Sequence, residues 1–160
     1  MNDDTNWNAL REQRQAFVER VRALAVDAAW QEVRSAMEAS PPLHPDEPVP
    51  TVYEGPNRSF LLPLPYELLQ DFMTHRSTQA LDIIFEHTAD ANPLVAAYCL
   101  RALSNAADPR LVEAVARFDC RQERIEATYG CFAWEGTLAE YGKMLLDEYL
   151  KSREENQNER

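Results

Sequence analysis

The chain contains 160 residues and carries a formal net charge of −11 at neutral pH, with four glycines and a hydrophobic content of 45%. This length predicts a single domain, residues 1–160, that is large enough to bury its own core. The negative charge would repel nucleic-acid phosphates and acidic membrane surfaces, so we expect neither a nucleic acid nor a membrane as a partner. A basic protein is compatible with the charge, although an acidic balance can also serve solubility alone.

The start of the chain and its cysteines predict a cytoplasmic protein. The segment MNDDTNWNAL is acidic and polar, unlike a secretory signal peptide, and no apolar run reaches membrane-spanning length. Cys99, Cys120 and Cys131 are an odd set without the CxxC spacing of zinc sites. We therefore expect reduced, mostly structural thiols, with no metal and no cofactor.

The first third of the chain predicts one long helix, either straight or kinked, and a proline-rich connector. Residues 6–39 contain neither Gly nor Pro, and apolar residues recur there at helical spacing: Leu10, Phe17, Val21, Leu24 and Ala28. Proline then becomes frequent, so residues 40–60 are predicted to be an extended connector, within which Val52 and Tyr53 could pair briefly as a strand. The connector is either a semi-rigid linker or a docking loop.

The stretch from Asn92 to Val115 organises the rest of the chain. Asn92-Pro93 is a helix start, because Asn caps free N–H groups and Pro is tolerated at the first helical position. Apolar or small residues follow on one helical face: Val95, Cys99, Ala102, Leu103 and Ala106. Asp108-Pro109 repeats the start signal after a short turn, which predicts two helices folded back on each other.

This stretch resembles a HEAT-type helical repeat, in Asn92-Pro93, Val95, Cys99, Ala102-Leu103, Asp108-Pro109-Arg110, Val112 and Val115. It departs from the family pattern at Ala96, where the family usually has Arg, and at Ala107, where no Gly precedes Asp108. A shift of about 30 residues relates Val95 to Ile125 and Cys99 to Tyr129, as expected for a two-helix repeat. The resemblance implies an extended face that binds macromolecules.

Further helices are predicted at residues 65–75, 78–87, 119–134 and 138–150. Residues 61–151 would then form a HEAT-like helical array, and residues 152–160 a flexible polar tail. The predicted fold is all-α: an irregular HEAT-like array of antiparallel helices with a long N-terminal helix and a Pro-rich connector.

No catalytic motif is found. There is no Gly-rich phosphate loop and no GxSxG elbow, and the three histidines are scattered. Asp71 lies four residues before His75 and Glu86 directly precedes His87, but neither spacing makes a metal site. The chain therefore gives no positive sign of an enzyme.

The function predicted first is a cytosolic protein–protein interaction module. In its sharper form, an acidic inhibitor or immunity protein neutralises a basic toxin or enzyme, because opposite charge speeds capture. Five residues are predicted to bind the partner from outward helical positions: Tyr98, Arg101, Arg124, Thr128 and Trp134. The alternatives are a small-molecule sensor or enzyme, whose interhelical pocket uses Asp71, His75 or His87, and a subunit that self-associates through its N-terminal helix.

Overall fold

The computed structural model describes residues 3–55, 64–129 and 132–160. Within these ranges the elements are α1 (Asp3–Arg22), α2 (Val26–Glu38), β1 (Thr51–Tyr53), α3 (Leu64–His87), α4 (Pro93–Asn105), α5 (Leu111–Ala116), β2 (Arg124–Tyr129), β3 (Phe132–Thr137) and α6 (Leu138–Asn158). The helical majority is confirmed, whereas the all-α class is corrected by a small three-stranded sheet. Residues 56–63 of the predicted connector and array, and Cys131, lie outside the described residues.

Helix α4 is the centre of the core. Its first turn is capped as predicted, because the Asn92 side chain accepts a hydrogen bond from the Leu94 N–H at 2.9 Å and Pro93 occupies the first helical position. Its own side chains from Leu94 to Leu100 are all buried, on every side of the helix, and so are Ala102 and Leu103. Such a helix is stable only when other elements cover it. Helices α2, α3, α5 and α6 and strand β1 all pack against it.

The connection between α4 and α5 is short, although α5 begins at Leu111, two residues after Pro109, where the sequence predicts the helix start. Asp108 forms a turn just before α5, in which its Oδ1 accepts the Arg110 N–H at 2.9 Å; Arg110 itself is the N-cap residue. Ala107 lies in the left-handed region with a φ of 51°, and the Asp108 N–H reaches back to the Leu103 carbonyl at 3.0 Å. This is a helix C-terminus at which glycine is usual. Ala107 therefore adopts the strained backbone that the missing glycine would have relieved.

The predicted long N-terminal helix is interrupted: it divides into α1 and α2, which is a full break and not a kink within one helix. Ala25 leaves the helical region with a ψ of 153°, so the chain turns between Arg22 and Val26. The Arg76 Nη2 donates to carbonyls at this break, those of Arg22 at 3.1 Å and Leu24 at 2.5 Å. A guanidinium from α3 thus satisfies carbonyls that the end of a helix leaves without partners.

Helix α3 spans the two helices that the sequence predicts at residues 65–75 and 78–87. Ser77 breaks it with φ 40° and ψ −111°, between the predicted segments 65–75 and 78–87. Apolar side chains on either side of this break are buried against the core, including Leu68, Phe72, Ala80 and Ile84. The kink redirects the chain while residues on both sides of it stay packed against the core.

The predicted helix over residues 119–134 is wrong, and the sheet replaces it. Strands β2 and β3 form an antiparallel hairpin, and β1 pairs in parallel with β2, in the order β1-β2-β3. The spacing of Ile125, Tyr129 and Phe132 fits a helix. Residues 125, 127 and 129 also alternate along one face of a strand, and β-branched and aromatic side chains favour this second reading. Ile125 and Tyr129, which the 30-residue shift relates to Val95 and Cys99 of α4, therefore lie in a strand and not in a second repeat helix.

Helix α6 begins as predicted and ends later. The Thr137 Oγ1 accepts the Glu140 N–H at 3.2 Å, which completes the predicted N-cap. The helix continues through the predicted tail to Asn158, and its residues from position 150 onward are exposed. Across the part of the chain that is described, no helix combines the length and the apolar character needed to cross a membrane.

Candidate functional site

The hairpin of β2 and β3 ends in two exposed aromatic side chains. Tyr129 and Phe132 are the last pair of the antiparallel register, and their exposed fractions are 57% and 76%. They lie on the same face of the hairpin as the pair Ala127 and Trp134, because side chains alternate along a strand. The apolar face that packs on the core therefore continues outward beyond it to two exposed aromatic rings.

The outer edge of β3 is open within the described residues. The Leu138 N–H donates to the Glu123 carbonyl at 2.8 Å, and the register places these two residues opposite each other at the base of the hairpin. Hydrogen-bonded pairs alternate along an antiparallel ladder. The main-chain groups of Phe132 and Trp134 therefore face β2, and those of Ala133 and Glu135 face away from it, towards an edge that no other described strand occupies.

Trp134 anchors the hairpin to the rest of the fold. Its ring lies across Gly136, where an added Cβ would come within 2.6 Å of the indole, and it packs against Tyr141 with ring centroids 5.3 Å apart. Glycine at position 136 thus makes room for the aromatic ring on the same face of the strand. Because Tyr141 belongs to α6, this partly buried indole holds the hairpin against that helix.

A buried polar network fixes the end of β1 behind the hairpin. The Tyr141 hydroxyl donates to Glu54 Oε1 at 2.5 Å, and the Arg101 Nη2 donates to Glu54 Oε2 at 2.9 Å. The second Arg101 Nη reaches Glu148 at 2.8 Å, while its Nε is buried without a partner. Burial, followed by the charge of Glu54, raises the pKa of Tyr141 well above its usual value. The phenol therefore stays a neutral donor that holds α6, α4 and β1 together.

A second buried phenol supports the other side of β1. The Tyr98 hydroxyl accepts the Tyr53 N–H at 3.0 Å and lies 3.1 Å from the Ser40 hydroxyl. Burial raises the pKa of Tyr98 to about 12, so its hydroxyl remains protonated. Ser40 in turn donates to the Thr51 carbonyl at 3.1 Å. Helix α4 thereby holds the short strand that pairs with β2.

The structure gathers the five predicted binding residues around this sheet, although not on an outward helical face. Tyr98 and Thr128 are buried, so their predicted outward position is wrong; Thr128 donates to the Phe132 carbonyl at 3.1 Å. Arg101 is largely buried in the Glu54 network and Trp134 is partly buried. Arg124 is exposed at the start of β2 and pairs with Glu135. Their role in partner binding stays a prediction.

The sequence reading missed Tyr129 and Phe132 as the most exposed groups of the site, and Glu54 as its internal anchor. The available signal was the segment Phe132–Thr137, in which large side chains at positions 132 and 134 alternate with smaller or polar ones. Glu54 carries no local signal, because its partners Arg101 and Tyr141 come from distant parts of the chain.

The described surface has many more free carboxylates than free guanidiniums. Seven arginines form ion pairs with carboxylates of the same chain: Arg22, Arg34, Arg101, Arg110, Arg117, Arg121 and Arg124. Several exposed carboxylates in the described ranges form no ion pair, among them Asp27, Glu32, Asp46, Glu47, Glu86, Asp119, Glu140 and Asp147. The net charge of −11 is therefore presented to a partner as unpaired negative groups.

The residues of the alternative pocket hypothesis are separated. Asp71 and His75 line a shallow cleft of about 270 Å³ between α1 and α3, where Asp71 pairs with Arg22 at 2.6 Å. Burial raises the pKa of Glu67 in the same cleft. His87 lies elsewhere, and both of its ring nitrogens are engaged, with the Trp30 Nε1 at 3.0 Å and Asp90 Oδ2 at 3.0 Å.

Among residues 3–55, 64–129 and 132–160, no three His, Cys, Asp or Glu side chains are grouped so that they could hold a metal ion. Comparisons with protein-family models, with curated proteins and with solved structures find no match to this chain.

Proposed function

We propose that this chain is a protein-binding module that docks a basic partner protein through the tip of the β2–β3 hairpin. The exposed pair Tyr129 and Phe132 carries this proposal. Aromatic side chains contribute much of the energy of protein interfaces when a partner buries them. The Glu54 network and the Trp134 anchor hold the tip in place before binding, which lowers the conformational entropy lost on association.

The charge distribution supports a basic partner. Seven arginines of the described chain form internal ion pairs, and several exposed carboxylates remain unpaired. Opposite charge accelerates association and aligns the partners before contact, while the desolvated aromatic pair would supply affinity. Association should therefore slow as the salt concentration rises, because ions screen exposed charges.

In its sharper form the proposal is an inhibitor or immunity protein that neutralises a basic toxin or enzyme. A protein that acts on an anionic substrate has a positively charged site, and an acidic protein seated there would exclude that substrate. The proposal includes a cytoplasmic location, which the free thiols of Cys99 and Cys120 support. It also retains kinship with HEAT-type repeats for the α4–α5 pair, the part of the chain that carries that resemblance.

The proposal is tested by comparative capture from host lysate. Three tagged forms are compared: the wild type, the tip variant Tyr129→Ala/Phe132→Ala, and the control variant Val112→Ala/Leu150→Ala, which removes two exposed apolar groups elsewhere. We expect a basic protein that the wild type and the control retain, that salt releases, and that the tip variant retains at least about tenfold less well. Equal retention by all three forms would refute the hairpin as the docking surface.

The cleft between α1 and α3 favours one second candidate, a small-molecule sensor or enzyme. It brings Asp71, His75 and the partly buried Glu67 to one surface. A thermal-shift screen of small anions and metabolites tests it, with His75→Gln as the variant because His75 is exposed and its loss should leave the fold intact. Stabilisation of the wild type that His75→Gln abolishes would favour this candidate; no stabilising ligand would count against it.

A further inference from the structure

We propose that the open edge of β3 accepts an extended, basic segment of the partner as a fourth strand of the sheet. This inference rests on the proposed function and adds the form of the partner. An unpaired strand edge is a template for another chain, and peptides that bind in this way gain affinity from main-chain hydrogen bonds. The groups offered are the N–H and C=O of Ala133 and Glu135, which the register directs away from β2.

The edge lacks the usual features that prevent such pairing. Natural edge strands are protected by lysine, by proline, by bulges or by a covering element. The described β3 contains neither lysine nor proline, its register with β2 is unbroken, and Phe132, Ala133 and Glu135 are exposed. Its single charge, Glu135, is paired with Arg124 from β2. The edge therefore remains available to a partner strand.

The two faces of the sheet specify the pattern of the added strand. Residues opposite Phe132 and Trp134 would lie on the aromatic face, so apolar side chains are expected there. Residues opposite Ala133 and Glu135 would lie on the face of Glu126, whose Oε2 is buried without a hydrogen bond. Basic side chains are expected on that face, because its two carboxylates, Glu126 and Glu135, outnumber its one arginine, Arg124, which is paired with Glu135. The segment thus alternates apolar and basic residues.

A second copy of the chain is a less favourable occupant. In a contact between two copies through β3, both chains carry a net charge of −11. Two chains of the same net charge repel each other as they approach. A basic segment carries the charge opposite to that of this chain, so electrostatic attraction favours its binding at this edge over self-association.

Ala133 offers a substitution that removes one outward donor and spares the hairpin. The Ala133 N–H points away from β2, so Ala133→Pro deletes it without removing a hydrogen bond of the described ladder. Ala133→Val is the matched control, since it keeps the N–H and favours a strand. Circular dichroism and urea unfolding of both variants test whether the fold is retained, which we expect for each.

The probe is a hexapeptide of alternating valine and lysine, compared with a peptide of the same composition in two blocks. Main-chain hydrogen bonds supply affinity, and the alternation of side chains matches the two faces of the sheet. The alternating peptide should therefore bind the wild type and Ala133→Val and slow the hydrogen exchange of the Ala133 and Glu135 amides. We expect the block peptide and Ala133→Pro to bind at least about tenfold more weakly. Equal binding by Ala133→Pro, or no change at these two amides, would overturn the inference.

The capture assay separates this inference from the proposed function. If Ala133→Pro captures the basic protein as well as the wild type while Tyr129→Ala/Phe132→Ala does not, tip docking stands and strand addition is wrong. If the tip variant also retains the protein, the proposed function itself fails. A wild-type dimer that Ala133→Pro dissociates in sedimentation experiments would make a second copy the occupant and overturn the basic segment.

Discussion

Replacing Tyr141 by Phe tests whether the Glu54 network holds the sheet to the helices. The substitution removes one hydroxyl and leaves Glu54 Oε1 without its 2.5 Å donor in a side chain that is only 8% exposed. A hydrogen bond to a charged group contributes about 1.5–3 kcal/mol, and water cannot easily replace the hydroxyl at so buried an oxygen. We therefore expect the free energy of unfolding to fall by about 2 kcal/mol, a change of about 30-fold in the unfolding equilibrium.

Urea unfolding followed by circular dichroism measures this loss, and a decrease in melting temperature of about 4–8 °C should accompany it. Tyr129→Phe is the matched control, because it deletes a hydroxyl from an exposed ring and should change stability by less than about 0.5 kcal/mol. If Tyr141→Phe were as stable as this control, the network would not stabilise the fold and the reasoning would be refuted.

Three further predictions concern the backbone and the effect of pH. Ala107→Gly should stabilise the protein by about 1 kcal/mol in urea unfolding, because it relieves the positive φ of 51°. Gly142→Ala should stabilise it by a similar amount, because the new Cβ would meet Val115 in ordinary contact at 3.6 Å within a helix; a loss of stability in either variant would contradict these readings. Hydrogen bonds from Arg110 lower the pKa of Asp108 despite partial burial. The corresponding stability is complete above the ordinary pKa of about 3.9 and is lost as the pH falls through the lower folded value. Asp108→Asn should therefore lose less stability than the wild type between pH 5 and pH 2, and an unchanged pH profile would count against the pair.

Local signals predicted the elements whose ends depend on neighbouring residues. Asn92-Pro93 starts α4 and Thr137 caps α6 through hydrogen bonds that span two or three residues, so a single window of sequence contains both partners. The kink at Ser77 separates two helices that had been predicted separately. The tight α4–α5 turn likewise follows from Asp108-Pro109.

The elements that were predicted wrongly, the end of α1 and the strands β2 and β3, depend on contacts with residues far away in the sequence. The end of α1 depends on Arg76, which belongs to another helix, and no residue near Arg22 shows that its carbonyl will be satisfied there. Residues 124–137 fit two periodicities, and the pairing of β2 with Thr51–Tyr53 is part of what favours the strand. The exposed tip and the anchor Glu54 depend on the same pairing. The site was therefore visible only as scattered residues that the sheet brings together.

The most direct test of the account is the affinity of the captured basic protein, measured by titration calorimetry at low and at moderate salt. We predict that Tyr129→Ala/Phe132→Ala binds at least about tenfold more weakly than the wild type, and that the affinity of the wild type falls as salt rises. An affinity that neither the tip variant nor the salt concentration changes would contradict both the hairpin as docking surface and the charge as the basis for choosing the partner.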